Sequence, residues 1–394
     1  MKFLLNIKNF LFPKYEHDDP KEKQVRNLLI LISILSYMSF QMWRSMFNNF
    51  AVEIAGINAA QMGIIQSVRE IPGFLALLVI FILILIKEQY LALLSLTLLG
   101  FGILITGFFP EFSGILITIF LMSTGFHYFE TLNQSLTLQH IPIEHTPRFL
   151  GQVRSYASLA GIGGILIVLG LKPLLSYAQI FFIAGTLVII GVIYAAIHFP
   201  LFKPKHVQKK KMFLKKRYWL YYTLTFLSGA RRQIFVAFAV FLMVKHFGFS
   251  VTTITILFFT NSLINMFWAP VISTLIDKWG ERTVISIEYG GLILVFLGYA
   301  YTQSPWVVIL LYIFDHLFFN MSMAIKTYFQ KIADPEDIAP TTAVGFTINH
   351  IAAVVIPFTG GLIWMIDYKY TFLFGVALAI VSLFFAQFVK IGQD

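Results

Sequence analysis

The chain has 394 residues, of which 58% are hydrophobic and only 12% charged, with a mean hydropathy of +0.79. A soluble domain carries about a quarter charged residues, so the composition excludes a soluble globular protein and specifies an integral membrane protein. With no cysteine and a formal net charge of +10, it also excludes a disulfide framework, a thiolate metal site and a cysteine nucleophile.

Residues 1–26 read as a cytoplasmic N-terminal tail. Their apolar patches are interrupted by Lys8, Pro13 and Lys14, and no small-residue cleavage site follows, so this is not a signal peptide. A short interfacial helix over 3–12 fits the pattern. A spanning helix needs about 20 apolar residues. Twelve segments meet that requirement: 27–52, 59–86, 89–109, 112–138, 149–170, 176–198, 218–244, 251–275, 283–301, 305–329, 341–365 and 370–390. The breaks fall at Pro, Gly or charge, among them Gly56, Pro110, Pro200, Gly248, Gly280 and Pro335.

Lys and Arg set the orientation. With the N-terminus cytoplasmic, twenty of the 29 lie on the cytoplasmic side. Three (Lys172, Lys245 and Lys369) lie opposite, and six (Arg44, Arg69, Arg154, Arg231, Arg232 and Lys326) lie within spans. The net positive charge is therefore mostly topology, and the C-terminus is cytoplasmic too. The run KPKHVQKKKMFLKKR, between spans six and seven, is basic enough for nucleic acid. Its position makes it an inner-leaflet contact with membrane lipids instead. It forms a basic cytoplasmic linker, 199–217, between an N-terminal six-helix bundle (27–198) and a C-terminal one (218–394).

The six-plus-six division is echoed in the residues. FQMWRSMFNNFAV (40–52, span one) laid over SGARRQIFVAFAV (228–240, span seven) matches at five of 13 positions, Arg44 with Arg232 included. Spans five and eleven share paired glycines, Gly163-Gly164 and Gly360-Gly361.

Twelve spans, a central basic loop and this repeat resemble the major facilitator superfamily. The loop STLIDKWGERT (273–283) is similar to that superfamily's G-x-x-x-D-[RK]-x-G-[RK]-[RK] loop. Asp277, Lys278, Gly280 and Arg282 match; Ser273 replaces the first glycine and Glu281 a basic residue. The matching loop of the first half, LIKEQYL (85–91), has lost the motif, and span five lacks the glycine-proline signature of drug/proton antiporters. The resemblance implies an all-α membrane protein of twelve transmembrane helices in two pseudo-symmetric halves, acting as a monomer without a cofactor. It also implies a cytoplasmic gate at Asp277, Lys278, Gly280 and Arg282, where Asp277 accepts hydrogen bonds from a neighbouring helix N-terminus. Spans one, four, seven and ten then line a central cavity, flanked by two, five, eight and eleven.

Charged side chains at mid-bilayer are unfavourable by about 2.5–3.5 kcal/mol each, so they face a cavity or each other. Arg44 lies on span one and Arg231, Arg232 and Gln233 on span seven. His127 and Glu130 share one face of span four, with Gln134 a turn on. Span ten brings Asp315, His316 and Asn320, and spans two and eleven add Arg69, Glu70, Asn349 and His350. Most of these fall roughly 10–17 residues in from a span edge, near or past the midplane at about 1.5 Å per residue. Arg44 and Arg232 are expected to face the cavity from opposite halves, with Arg231 paired to Asp315 or Glu130.

The positive surplus favours an anionic or zwitterionic organic solute, because the arginine fork suits carboxylate and phosphate. Arg44, Arg69, Arg231, Arg232, Gln134, Asn320 and Asn349 are its candidate ligands. Glu130, Asp315, His127, His316 and His350 titrate and are the candidates for proton coupling. The same histidines and acids form a donor set for a divalent metal; four deep arginines oppose a bare cation, but an anionic metal chelate satisfies both. No G-x-x-x-x-G-K-[ST] occurs, so ATP does not drive the process directly. The reading is a secondary transporter in a bacterial inner membrane, coupled to protons and working by alternating access. Transport of a metal or chelate, multidrug efflux, a membrane-embedded enzyme and a scaffold stand as alternatives.

Overall fold

A computed structural model describes residues 20–83, 85–141, 146–202, 214–334 and 337–390. The interfacial helix at 3–12 and most of the basic linker lie outside them. Fourteen α-helices, and no strand, occur among the described residues: α1 (Pro20–Asn49), α2 (Ala59–Phe74), α3 (Val79–Ile82), α4 (Glu88–Thr106), α5 (Phe112–His140), α6 (Thr146–Leu171), α7 (Tyr177–His198), α8 (Trp219–Ile234), α9 (Val240–Lys245), α10 (Val251–Tyr301), α11 (Pro305–Phe319), α12 (Met323–Ile332), α13 (Ile338–Trp364) and α14 (Tyr368–Ala386). All twelve sequence-defined spans are helical. Ten are long and apolar enough to cross a membrane; the others are span two and the shorter apolar stretch Val251–Ile264. Helix is the answer a bilayer demands, since every backbone donor and acceptor is satisfied within the segment. Large side chains left exposed along the spans are themselves apolar, such as Leu294, Leu310 and Ile190.

Departures from regular helix have local causes. Span two breaks into a 3-10 turn over Leu75–Leu78 just after Pro72 and Gly73, because proline removes a backbone bond and its ring strikes the preceding turn. Spans eight and nine run on as α10 through one non-helical residue, Gly280, at φ 77° and ψ 160°, a conformation that excludes a Cβ. Spans one and seven each carry a π-helical turn, Phe50–Ile54 and Phe235–Ala239. Both follow the matched arginines Arg44 and Arg232 within two turns, so the repeat seen in the residues extends to a shared irregularity.

The chain forms two compact units. Unit 1 comprises residues 1–50 and 75–208; α4 packs on α5 and α7, and α1 on α6 and α7. Unit 2 comprises 51–74 and 209–394; α13 packs on α2 and α8, and α10 on α11 and α14. In unit 2, α2 and α13 approach at glycine. A Cβ on Gly361 would lie 2.7 Å from the Ala59 carbonyl oxygen, and one on Gly63 would fall on that of Pro357. Small residues allow such backbone contact between membrane helices.

Candidate functional site

In unit 2, α2, α8 and α13 bring four charged or titratable side chains together. Arg69 Nη2 lies 2.6 Å from Glu70 Oε1; the two are sequence neighbours on a helix, and the length of the arginine lets it fold back. Glu70 Oε2 lies 3.8 Å from His350 Nε2. His350 Nδ1 sits 2.9 Å from the Phe346 carbonyl oxygen, which can only accept, so Nδ1 carries a proton. Nε2 then attracts Glu70 as an ion only when the ring is doubly protonated. Arg232 feels Glu70 as attraction and Arg69 as repulsion, and its Nε is buried without a hydrogen-bond partner among the described residues. Two arginines thus stand against one carboxylate. Asn349 belongs to the same region: its Nδ2 donates to the Thr225 carbonyl oxygen at 3.4 Å, in space that Gly229 leaves open.

A second cluster lies deeper in unit 2. Both terminal nitrogens of Arg231 reach Glu288 Oε1 at 3.3 Å, and the guanidinium lies 4.0 Å above the Tyr289 ring. Arg231 and Glu288 are 1% and 0% exposed. The partner expected for Arg231 was Asp315 or Glu130; the structure corrects this to Glu288, on the arm of α10 after Gly280. Asp315 is itself 2% exposed and has Arg231 and Glu288 as electrostatic neighbours. His316 is held by packing: Nδ1 lies 2.8 Å from Asn261 Nδ2 and 3.1 Å from the Tyr312 carbonyl oxygen, and Phe235 meets the ring edge-on at 4.8 Å. Asn320 donates to the His316 carbonyl oxygen at 2.7 Å.

In unit 1, Glu130 on α5 accepts from the Tyr37 hydroxyl at 2.7 Å. Rings stack beside it: Phe40 on Phe126 at 4.4 Å, then Phe40 with Trp43 at 5.9 Å and Trp43 with Phe47 at 4.4 Å. His127 meets Phe126 edge-on at 5.5 Å. Arg44 is half-buried on α1, and Gln134 is exposed. Unit 1 therefore sets a stack of aromatic rings, with Trp43 and Phe47 buried, near Glu130 on α5 and Arg44 on α1.

At the motif loop, Asp277, Lys278 and Arg282 are exposed. Asp277 makes no hydrogen bond to a described residue, and Arg282 donates to Gln387 at 3.0 Å. The buried acid there is Glu281, 0% exposed and 2.6 Å from Lys331 on α12. Nearby, Lys215 Nζ and the Tyr218 hydroxyl reach Asp337 at 2.6 Å each, and Arg217 reaches Asp334 at 2.8 Å. These bonds tie the entry to span seven to the segment before α13. The Lys215 hydrogen bond holds the Asp337 carboxyl below the usual range.

The structure thus groups Arg69, Arg232 and His350, with Asn349 beside them, and separately pairs Arg231 with Glu288. It keeps Glu130 with Tyr37. Sequence reading passed over Glu288, Glu281 and Tyr37. Tyr37 had a signal, since it lies seven residues before Arg44 and on the same helical face. Glu281 was marked only by standing where the family motif has a basic residue.

Fold and charge together define a polytopic helical carrier with ionisable groups inside its bundles. The chain matches the Major Facilitator Superfamily over residues 29–357, and it belongs to that superfamily. It is a multi-pass integral membrane transporter and not an enzyme. An uncharacterized MFS-type transporter of Methanocaldococcus jannaschii is 30% identical over 125 residues, 30% of this chain and 31% of that relative. Among solved structures, the nucleoside transporter NupG superposes with a TM-score of 0.75 at 16% identity, covering 92% of this chain and 98% of that one. A bacterial homologue of the human lysosomal transporter Spinster gives 0.73 at 14% identity, over 94% and 97%. A D-xylose–proton symporter gives 0.71 at 11% identity, over 94% and 98%. At such identities the likeness is one of fold.

Proposed function

We propose that the chain is a secondary active transporter that moves a small anionic or zwitterionic organic solute by alternating access, driven by protons. It acts as a monomer in a bacterial plasma membrane with both termini cytoplasmic. The observation that carries the solute class is the Arg69, Glu70 and Arg232 group, where cationic charge exceeds anionic and Arg232 Nε has no hydrogen-bond partner among the described residues. A carboxylate or phosphate is the complement of that surplus. Arg44, placed in the first repeat as Arg232 is in the second, is its counterpart as a solute ligand. The stacked rings of α1 and α5 suit an apolar body on the solute. Glu130, Asp315, His127 and His350 are the groups that exchange protons, and the motif loop with Asp277, Lys278, Gly280 and Arg282 is the cytoplasmic gate.

The decisive experiment is uptake of radiolabelled organic anions into proteoliposomes. Arg44→Ala and Arg232→Ala are each expected to abolish uptake while leaving monodisperse folded protein. Wild-type rates from both would end the assignment.

Glu70 beside His350 supports a second reading, a metal delivered as an anionic chelate. These two supply hard and borderline donors, while Arg69 and Arg232 repel a bare divalent ion. One solved structure of similar fold is titled a bacterial metal transporter (TM-score 0.68, 12% identity). Uptake of a radiometal only in the presence of its chelator would favour it over the first.

A further inference from the structure

The charged side chains at the motif-loop end of unit 2 are unevenly engaged. Lys215 pairs with Asp337, Arg217 with Asp334 and Lys331 with Glu281, and Lys278 follows the exposed Asp277 in sequence. Lys216, Arg282 and Lys390 are exposed and belong to none of these pairs. Among the described residues at this end of the unit, cations therefore exceed acids.

The surplus stands beside exposed rings. Arg282 Nη2 donates to Gln387 Oε1 at 3.0 Å, and Gln387 Nε2 donates to Ser286 Oγ at 3.1 Å. Lys390 follows Gln387 by three residues, a reach of at most about 11 Å. On the same stretch the Phe384 and Phe388 rings lie 5.2 Å apart, and the Trp219 ring meets Phe385 edge-on at 6.3 Å. Trp219, Phe384 and Phe388 are 51%, 60% and 47% exposed. Lys216 opens the 3-10 turn Lys216–Tyr218 that Trp219 closes, and side chains three apart in such a turn fall in line.

The first half treats the equivalent position differently. Glu88 accepts from Gln139 Nε2 at 2.7 Å, near the end of span four, much as Glu281 pairs with Lys331 near the end of span ten. The next residue is Gln89, which is buried and uses both ends of its amide, on the Pro200 carbonyl oxygen at 3.0 Å and the Phe202 N–H at 3.1 Å. These two lie just past span six, as Gln387 lies near the end of span twelve. Where the first half closes this corner with backbone, the second leaves a guanidinium exposed.

Orientation alone puts Lys and Arg at the ends of spans; it does not put them beside exposed aromatic rings. A soluble anion has no use for the rings, and an acyl chain has none for the cations. A phospholipid uses both, and one with an ammonium in its headgroup is repelled by the local surplus. We propose that Arg282 and Lys390, with Lys216 flanking, bind the phosphate of an anionic phospholipid whose acyl chains lie along Trp219, Phe384 and Phe388. The lipid belongs to the leaflet at this end of the spans, the cytoplasmic one in the orientation proposed above.

The test is quenching of tryptophan fluorescence in the purified, detergent-solubilised full chain by phospholipids with brominated acyl chains. Subtracting the signal of Trp219→Phe isolates Trp219. Phosphatidylglycerol is expected to quench it at a mole fraction about tenfold below that of phosphatidylcholine, the effect of one to two cations at a membrane surface. Arg282→Gln/Lys390→Gln is expected to remove that preference, and Arg282→Lys to keep it. Lys23→Gln/Lys87→Gln, which takes two exposed cations from unit 1, should leave it unchanged. Equal quenching by both lipids in the wild type overturns the proposal, because the rings then meet lipid without a headgroup site. Loss of the preference in the unit 1 pair also overturns it, by reducing the effect to diffuse surface charge. So does a preference that high salt fails to weaken. Uptake plays no part in this readout, so the lipid site and the solute reading stand or fall separately.

Discussion

Arg231 and Arg232 are adjacent in sequence and live in different electrostatic surroundings. A helix turns about 100° per residue, so Arg231 enters the interior of unit 2 against Glu288 while Arg232 meets the Arg69 and Glu70 pair. Arg231 and Glu288 are both buried and bonded to each other, so Glu288→Gln leaves the guanidinium without its carboxylate, a loss of about 3–5 kcal/mol. Thermal unfolding in detergent is expected to show that drop, and an unfolding temperature equal to wild type would contradict the pair. Asp337 provides a pH-dependent counterpart outside the spans. Its carboxyl is held low by Lys215 and Tyr218, so its contribution is present above the ordinary value of about 3.9 and is lost as pH falls through the folded one. The unfolding temperature of Asp337→Asn is expected to lie below wild type at pH 7, and the gap should close only below about pH 4. A gap that widened on acidification would contradict the assignment.

At the scale of elements, the informative features are those where regular helix fails. Pro72 and Gly73 end α2 and start the 3-10 turn. Gly280 at φ 77° turns the end of span eight into span nine. The π turns after Arg44 and Arg232 re-aim the side chains that follow, as such turns do at functional positions. The α2–α13 contact is a demanding one, because Gly63 and Gly361 bring backbone onto backbone. Gly63→Ala or Gly361→Ala places a methyl where a carbonyl oxygen already lies. Overpacking of that kind destabilises by about 1–3 kcal/mol and should appear as a lower unfolding temperature. Neither substitution touches a charged group, so a normal unfolding temperature in both would mean that the two helices do not meet there.

For the molecule as a whole, orientation can be measured directly because the chain has no cysteine. Lys245 and Lys216 are both exposed and stand at opposite ends of span seven. In intact cells Lys245→Cys is expected to react with an impermeant maleimide, and Lys216→Cys only after the membrane is opened. The reverse pattern would invert the topology. Lys and Arg carry this information because positive charge resists transfer across the bilayer during insertion.

The sequence by itself determined the class of the molecule. Lipid leaves a long apolar chain almost no choice but helix, and proline, glycine and charge mark each end, so the twelve spans could be read from composition and spacing. The internal repeat and the motif loop carried the family. Which charges meet was another matter. Helical periodicity assigns a residue to a face without saying which neighbour that face touches. Nothing in the sequence marks Glu288, near the start of its span, as the partner of Arg231, and the motif points to Asp277 where the structure buries Glu281. Only tertiary packing carried Glu288 of α10 to Arg231 of α8 and set α2 against α13. It did so because apolar faces and small residues fix those contacts, and the buried charges must then find their partners within the space left to them.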